Sequence, residues 1–151
     1  MPPTKKSTSR IARFAAGAGI GALAGFGVRR WLAATEHLPE AVAHRGGAST
    51  APENTLAAYR NAQAAGILTW EMDVQLTTDG RLAVFHDDTL DRTTDGSGPL
   101  AGHSWDELAA LDAGSWFGPQ WRGERIPTLE DVIALARDAP DGGARLLIEI
   151  K

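Results

Sequence analysis

The chain has 151 residues, and its 15 basic and 19 acidic side chains give a formal net charge of −4 at pH 7. With 43% hydrophobic and 23% charged residues, the composition is that of a globular protein, and the length suits one domain. The lack of cysteine excludes disulfides, thiolate zinc sites and a cysteine nucleophile, and the acidic balance argues against nucleic acid as a partner.

Residues 1–35 differ in charge from the rest of the chain. They contain six basic side chains and no acidic one, and residues 14–28 (FAAGAGIGALAGFGV) carry no polar side chain. A basic segment before a short apolar run is typical of a secretory signal or a membrane anchor. We therefore expect that the following domain is exported or is attached to the membrane through residues 14–28, and that it lies outside the cytoplasm. The alternative is a flexible Gly/Ala-rich leader on a cytoplasmic protein.

Residues 36–41 are interpreted as a linker, and the remaining chain alternates between strand and helix patterns. We expect strands over 41–44, 69–76, 82–86 and 146–150, and helices over 55–65, from Ser104, and over 129–137. Asn54 or Thr55 can cap the first helix, and Glu107 completes a capping box with Ser104. Alternation of this kind predicts βα units and a mostly parallel sheet, with the chemistry at the carboxyl ends of the strands.

Acidic side chains occupy two of the predicted strands. Glu71 and Asp73 are two residues apart, so both point to one face of their strand. The opposite face belongs to Trp70, Met72 and Val74. Alone, the acidic pair also fits a solvated edge. Glu149, in contrast, is flanked by apolar residues, which predicts a buried carboxylate that needs a partner. It is a natural third ligand beside Glu71 and Asp73 for one divalent cation, Mg²⁺ or Ca²⁺.

Other polar residues at the strand ends suit proton transfer and anion binding. His44 closes the first predicted strand and His86 closes the third, and histidine is well suited to move protons near neutral pH. Arg45 offers a planar fork for a phosphate, and Lys151 lies on the same face as Glu149, where it can pair with that carboxylate or with an anion. Together these residues suit cleavage of a phosphodiester. His37 and His103 are interpreted as surface residues.

The order of short motifs along the chain is specific. They are His44-Arg45-Gly46, Pro52-Glu53-Asn54-Thr55, Glu71-x-Asp73-Val74, Thr78-Asp79-Gly80, His86-Asp87, Arg92-Thr93-Thr94, Ile126-Pro127-Thr128-Leu129 and Ile148-Glu149-Ile150-Lys151. In these motifs the chain resembles the glycerophosphodiester phosphodiesterase family over about residues 42–151.

The resemblance implies an α/β fold of the TIM-barrel type with a small insertion subdomain, which corresponds to residues 88–127. We expect Trp105, Trp116, Phe117 and Trp121 to pack within that subdomain. A complete barrel of this type needs about 250 residues. We therefore expect residues 42–151 to be the N-terminal part of the domain, truncated after about the fourth strand.

The resemblance also implies roles for individual residues. The expected metal ligands are Glu71, Asp73 and Glu149; the acid/base histidines are His44 and His86; the phosphate-binding residues are Arg45 and Lys151; and the supporting residues are Glu53 and Asn54. The implied activity is metal-dependent hydrolysis of small-molecule glycerophosphodiesters to glycerol 3-phosphate and an alcohol, in phospholipid metabolism.

Two alternatives stand beside this activity. One is a non-enzymatic fragment of such an enzyme, which binds a metal or phosphate weakly or pairs with another chain. The other is a related phosphodiesterase of the phospholipase C type, although the P-E-N-T and I-E-I-K motifs favour the first family. No motif specifies an oligomeric state.

Overall fold

The computed structural model describes residues 41–151. The leader predicted over 1–35, its apolar stretch 14–28 and all but the last residue of the predicted linker lie outside these residues. None of the helices within residues 41–151 is long and apolar enough to cross a membrane.

The part of the chain that the structure describes contains three α-helices and three strands. In chain order they are α1 (Leu56–Ala64), β1 (Thr69–Leu76), β2 (Leu82–Val84), α2 (Trp105–Ala109), α3 (Leu129–Arg137) and β3 (Arg145–Ile150). Short 3-10 turns cover His44–Gly46, Leu100–Gly102 and Pro119–Trp121.

The strand predicted over 41–44 is reduced to a single bridge. Ala43 pairs in parallel with Trp70, donating from its N–H to the carbonyl of Thr69 and accepting from the N–H of Glu71. The extended backbone ends at Ala43 because the chain then enters a 3-10 turn, in which Arg45 adopts a left-handed φ of 50°. This turn, and not a strand end, presents His44 and Arg45.

The three strands form one sheet in the order β2-β1-β3. β1 and β3 are parallel, as the alternation of helices and strands predicts. β2 is the exception: it pairs with β1 antiparallel, Val74 opposite Val84. Only residues 77–81 connect β1 to β2, and a connection that short makes a hairpin and not a parallel crossover.

The helix starts follow the predicted capping residues. Thr55 is the N-cap of α1 and accepts a hydrogen bond from the N–H of Ala58. Ser104 and Glu107 form the expected capping box at α2, and Thr128 begins α3 in the same way. Each cap satisfies backbone donors that have no partner within the helix, so local sequence is enough to set these boundaries.

Two apolar clusters lie within the described residues. The first joins α1, β1 and α3 and contains Ala43, Tyr59, Ala62, Trp70, Met72, Val74, Val84, Val132, Ala136 and Ala139. The second joins β2 to the segment that follows it and contains Ala83, Phe85, Leu90, Leu100, Leu108, Ala113 and Ile126. Because Trp70, Met72 and Val74 fill the first cluster, the alternate residues of β1 are left on the opposite face.

Candidate active site

Three carboxylates converge on the face of the sheet opposite the first apolar cluster. Glu71 and Asp73 come from β1 and Glu149 from β3, and Asp73 is the register partner of Glu149. One oxygen of each carboxylate lies within 4.8 Å of the others. Parallel pairing therefore brings together three acids that the sequence separates widely.

The expectation that Glu149 is buried is wrong. Its side chain is 59% exposed, and its apolar neighbours Leu147, Ile148 and Ile150 are exposed as well. Among the described residues, β3 is an edge strand of the sheet, and five of its six residues are exposed. Asp73, on the central strand, is almost fully buried.

Lys151 lies between two of these carboxylates. Its Nζ is 2.5 Å from Oε1 of Glu149 and 3.2 Å from Oδ1 of Asp73. The hydrogen bond to Glu149 raises the pKa of the Lys151 ammonium above its usual value, with Asp73 contributing in the same direction. The predicted pairing of Lys151 with Glu149 is thus present, and Asp73 shares the same ammonium.

Arg45 contacts the acidic group through its backbone and its side chain. Its N–H donates to Oε2 of Glu71 over 2.7 Å, and its Nη1 donates to Oε1 of Glu53 over 2.9 Å. Its Nε lies 3.5 Å from Oδ2 of Asp73. The left-handed turn at Arg45 lets one residue reach Glu53, Glu71 and Asp73.

Asn54 connects Asp73 to the first apolar cluster. Its side-chain amide donates to Oδ2 of Asp73 over 3.1 Å, and its carbonyl oxygen accepts a 2.9 Å bond from the hydroxyl of Tyr59. Burial raises the pKa of Tyr59, and the nearby carboxylates of Glu71 and Asp73 raise it further, so the hydroxyl keeps its proton. The sequence motif indicates Asn54 as a supporting residue but gives no signal for Tyr59.

The two candidate acid/base histidines have different surroundings. The side chain of His44 is 68% exposed, with Nε2 3.9 Å from Oε2 of Glu71. His86 is less exposed, and its Nδ1 lies 2.6 Å from Oδ1 of Asp87. The Asp87 carboxylate can only accept at this contact, so Nδ1 of His86 carries the proton and Nε2 is the nitrogen available for reaction.

Two residues without a predicted role complete the site. Asp87 holds the ring of His86, and Arg92 bonds both Asp87 and Glu53. Both residues stand in the motifs quoted above, but neither lies on a predicted strand face. Arg92 is 39 residues from Glu53 along the chain, so no local pattern indicates their contact.

The charge of this network favours a cation. Its five carboxylates are Glu53, Glu71, Asp73, Asp87 and Glu149, and its three permanent cations are Arg45, Arg92 and Lys151. These eight side chains carry two net negative charges. Carboxylate oxygens are the ligands that Mg²⁺ and Ca²⁺ prefer, so the three converging acids fit one divalent cation.

Residues 44–151 match the model of the glycerophosphoryl diester phosphodiesterase family. The glycerophosphodiester phosphodiesterase of Caldanaerobacter subterraneus subsp. tengcongensis is 50% identical over 97 residues, which are 64% of this chain and 40% of that protein. Glycerophosphodiester phosphodiesterase 1 of Homo sapiens is 43% identical over 96 residues, or 62% of this chain and 29% of that protein.

Solved structures similar to this chain are also phosphodiesterases. A glycerophosphodiester phosphodiesterase from Agrobacterium tumefaciens superposes with a TM-score of 0.68 at 42% identity, covering 72% of this chain and 46% of that one. A phosphodiesterase from Oleispira antarctica, solved with the product sn-glycerol-3-phosphate, gives 0.70 at 45% identity and covers 78% and 47%. The likeness confirms the predicted TIM-barrel-type α/β fold class. The chain spans about two fifths or less of the two curated relatives, and under half of each of these two solved chains.

Proposed function

Since the chain belongs to the glycerophosphoryl diester phosphodiesterase family, we propose that the protein hydrolyses a glycerophosphodiester to glycerol 3-phosphate and an alcohol. The observation that carries the proposal is the group of Glu71, Asp73 and Glu149, whose carboxylate oxygens lie within 4.8 Å of one another beside Arg45 and His44. The product found in the Oleispira relative supports a glycerol phosphate as the ligand.

In this proposal Glu71, Asp73 and Glu149 hold one divalent cation, Mg²⁺ or Ca²⁺. When bound there, the cation would neutralise negative charge on the phosphoryl oxygens. Arg45 binds the phosphate of the substrate. Lys151 leaves its two carboxylate partners and binds a phosphoryl oxygen. Glu53 and Asn54 keep Arg45 and Asp73 in place through the hydrogen bonds described above.

His44 and His86 move the protons. His44 takes the proton of the glycerol hydroxyl as that oxygen attacks phosphorus, and His86 gives a proton to the departing alcohol oxygen. The product of this step is a cyclic phosphate. Water then opens the ring with the two histidines in reversed roles, which yields glycerol 3-phosphate. The contact between Nδ1 of His86 and Asp87 makes Nε2 the atom that exchanges the proton in either direction.

The test is hydrolysis of glycerophosphocholine by the purified protein, with products identified by ³¹P NMR. We expect glycerol 3-phosphate, loss of turnover in a chelator with recovery on adding Mg²⁺ or Ca²⁺, and a fall in kcat of about 10²-fold or more for His44→Ala. His103→Ala is the control because the His103 ring lies outside the candidate site and bonds to the carbonyl of Pro99. Absence of turnover in the wild-type protein would overturn the proposal, and accumulation of the cyclic phosphate alone would favour a phospholipase C-type reaction.

A further inference from the structure

Arg92 makes four hydrogen bonds to two carboxylates. Its Nε and Nη2 donate to Oδ2 and Oδ1 of Asp87 over 2.6 and 2.8 Å. Its Nη1 and Nη2 donate to Oε2 and Oε1 of Glu53 over 2.9 and 2.8 Å. This double fork uses the planar geometry of guanidinium, which a lysine ammonium does not reproduce.

One branch of the network leads to His86. Oδ1 of Asp87 faces Nδ1 of His86 as well as Nη2 of Arg92. Hydrogen bonds from Arg92, and then from His86, outweigh partial burial and hold the pKa of Asp87 far below its usual range. Asp87 is therefore a carboxylate throughout the neutral range, and its orientation is set on one side by Arg92 and on the other by the imidazole.

The other branch leads to Arg45. Oε1 of Glu53 accepts from Arg92 and from Nη1 of Arg45, whose Nε lies beside Asp73. Partial burial acts to raise the pKa of Glu53, but the hydrogen bonds from the two arginines outweigh it and lower the pKa overall. The Arg92 guanidinium thus restrains Asp87, which is the partner of the candidate proton donor His86. It also restrains Glu53, which is the partner of the candidate phosphate-binding residue Arg45.

Glu53, His86 and Asp87 also lie close enough together to suggest a second metal site. The guanidinium of Arg92 occupies that position, because it bonds all four oxygens of the two carboxylates. Arg92 is held from outside as well, with its guanidinium carbon 5.9 Å from the ring centroid of Trp116. The cluster is therefore built around an arginine and not around an ion.

We propose that Arg92 is a positioning residue for the phosphodiesterase reaction, which fixes the ring of His86 through Asp87 and the guanidinium of Arg45 through Glu53. The inference rests on the proposed function for its catalytic consequence. Arg92 comes from the polar segment between β2 and α2, so this segment sets the geometry of His86, just after β2, and of Arg45, in the 3-10 turn before α1.

The test compares Arg92→Lys and Arg92→Gln with Arg122→Lys, which changes an exposed arginine between α2 and α3. Arg92→Lys keeps the charge but loses the double fork. We expect kcat for glycerophosphocholine to fall about tenfold to a hundredfold in both Arg92 variants, more in Arg92→Gln, and to stay unchanged in Arg122→Lys. Circular dichroism and thermal melting establish that each variant is folded.

A second readout does not depend on turnover. The protein has four histidines, so the ring ¹⁵N signals of His86 can be assigned by comparison with His86→Gln. We expect the Nδ1-protonated tautomer in the wild-type protein, and averaging with the Nε2-protonated tautomer in Arg92→Gln. The Arg122 variant keeps the wild-type signals.

The two readouts separate this inference from the proposed function. If the wild-type protein does not hydrolyse the diester, the proposed function fails, and the ring spectra alone decide whether Arg92 orders His86. A folded Arg92→Gln variant with wild-type ring signals overturns the positioning role whatever its rate, and so does a folded variant with wild-type kcat.

Discussion

The side-chain amide of Asn54 donates a 3.1 Å hydrogen bond to Oδ2 of Asp73, and both residues are almost fully buried. Asn54 adopts a left-handed φ of 55°, which asparagine tolerates better than most residues do. The hydroxyl of Tyr59 fixes the other end of the amide. A buried hydroxyl and a strained turn thus set the direction in which the Asp73 carboxylate faces its neighbours.

Asn54→Gly tests this support, because glycine accepts the left-handed φ and removes the amide. We expect the affinity for Mg²⁺ or Ca²⁺, measured by isothermal titration calorimetry, to fall about tenfold, since loss of a group that orients a metal ligand has an effect of this size. Tyr59→Phe keeps the amide and is expected to cause a smaller loss. Asn61→Ala, on the exposed face of α1, is the control. Equal affinities in all four proteins would contradict the orienting role of Asn54.

Lys151 is expected to have opposite effects on ion binding and on catalysis. Its ammonium lies between Asp73 and Glu149, so a divalent cation that uses both carboxylates must compete with it. Lys151→Met is therefore expected to bind the cation severalfold more tightly while raising KM for glycerophosphocholine, because the variant lacks the ammonium that the proposed function assigns to phosphate binding. Calorimetry and steady-state kinetics measure the two effects, with the exposed Arg137→Met as control. An unchanged affinity for the ion would exclude competition.

Most features of the fold that depend on residues close together in the sequence are predicted correctly. β1 is found over the predicted residues, because the alternation from Trp70 to Val74 places apolar side chains on one face and acidic ones on the other. The caps at Thr55, Ser104 and Thr128 are equally local. The direction of β2 was decided by the five-residue connection before it, a signal that is present in the sequence but easily overlooked beside a βα pattern.

Contacts between distant segments could not be predicted in the same way. Apolar neighbours suggested a buried Glu149, but its exposure depends on which segments pack beside and over β3, and no local pattern contains that information. The bond between Arg92 and Glu53 joins two loops, whose polar residues have no periodicity to follow. Motif resemblance pointed to the site residues, and the fold supplies the reason that they meet.

Asp112, which lies outside the candidate site, is expected to make the stability of the fold depend on pH. Its carboxylate accepts hydrogen bonds from the N–H groups of Ser115, Gly123 and Gly114 and from the Ser115 hydroxyl, over 2.7 to 2.9 Å. These bonds, led by the one from the Ser115 N–H, hold the pKa of Asp112 well below its usual range. The unfolded carboxyl titrates near pH 3.9, so the stabilisation is complete above about pH 5 and is lost as the pH falls below about 4.

We therefore expect Asp112→Asn to lower the free energy of unfolding by about 1–2 kcal/mol at pH 7, since an amide nitrogen replaces one accepting oxygen. The difference in unfolding free energy between the two proteins shrinks between pH 4 and pH 2, because the stabilisation that the Asp112 carboxylate gives to the wild-type protein is lost over this range. Urea unfolding at several pH values measures this. Asp141→Asn, at an exposed turn, is the control. A deficit that stays constant down to pH 2 would show that charge is not its cause.

Gly46 is expected to be irreplaceable because of its neighbours as well as its backbone. It has a φ of 77°, and a Cβ added there would lie 2.8 Å from Cβ of Ala58 and 3.0 Å from Cδ1 of Tyr59. Gly66 has the same φ of 77° and nothing within 4 Å of an added Cβ. The two glycines share the backbone strain and differ in the close approach to α1, so they form a matched pair.

Gly66→Ala is expected to cost about 1–2 kcal/mol, the strain of a left-handed residue alone. Gly46→Ala adds the clash with α1, and we expect a further loss of about 1–3 kcal/mol, typical of overpacking. Because the 3-10 turn carries His44 and Arg45, relief of the clash by moving the turn also displaces those side chains from Glu71. Chemical denaturation measures the stability difference, and kcat/KM measured well below the melting temperature reports the displacement. Equal losses of stability in the two variants would mean that the clash with α1 adds no cost to the backbone strain, which would contradict the overpacking expected at Gly46.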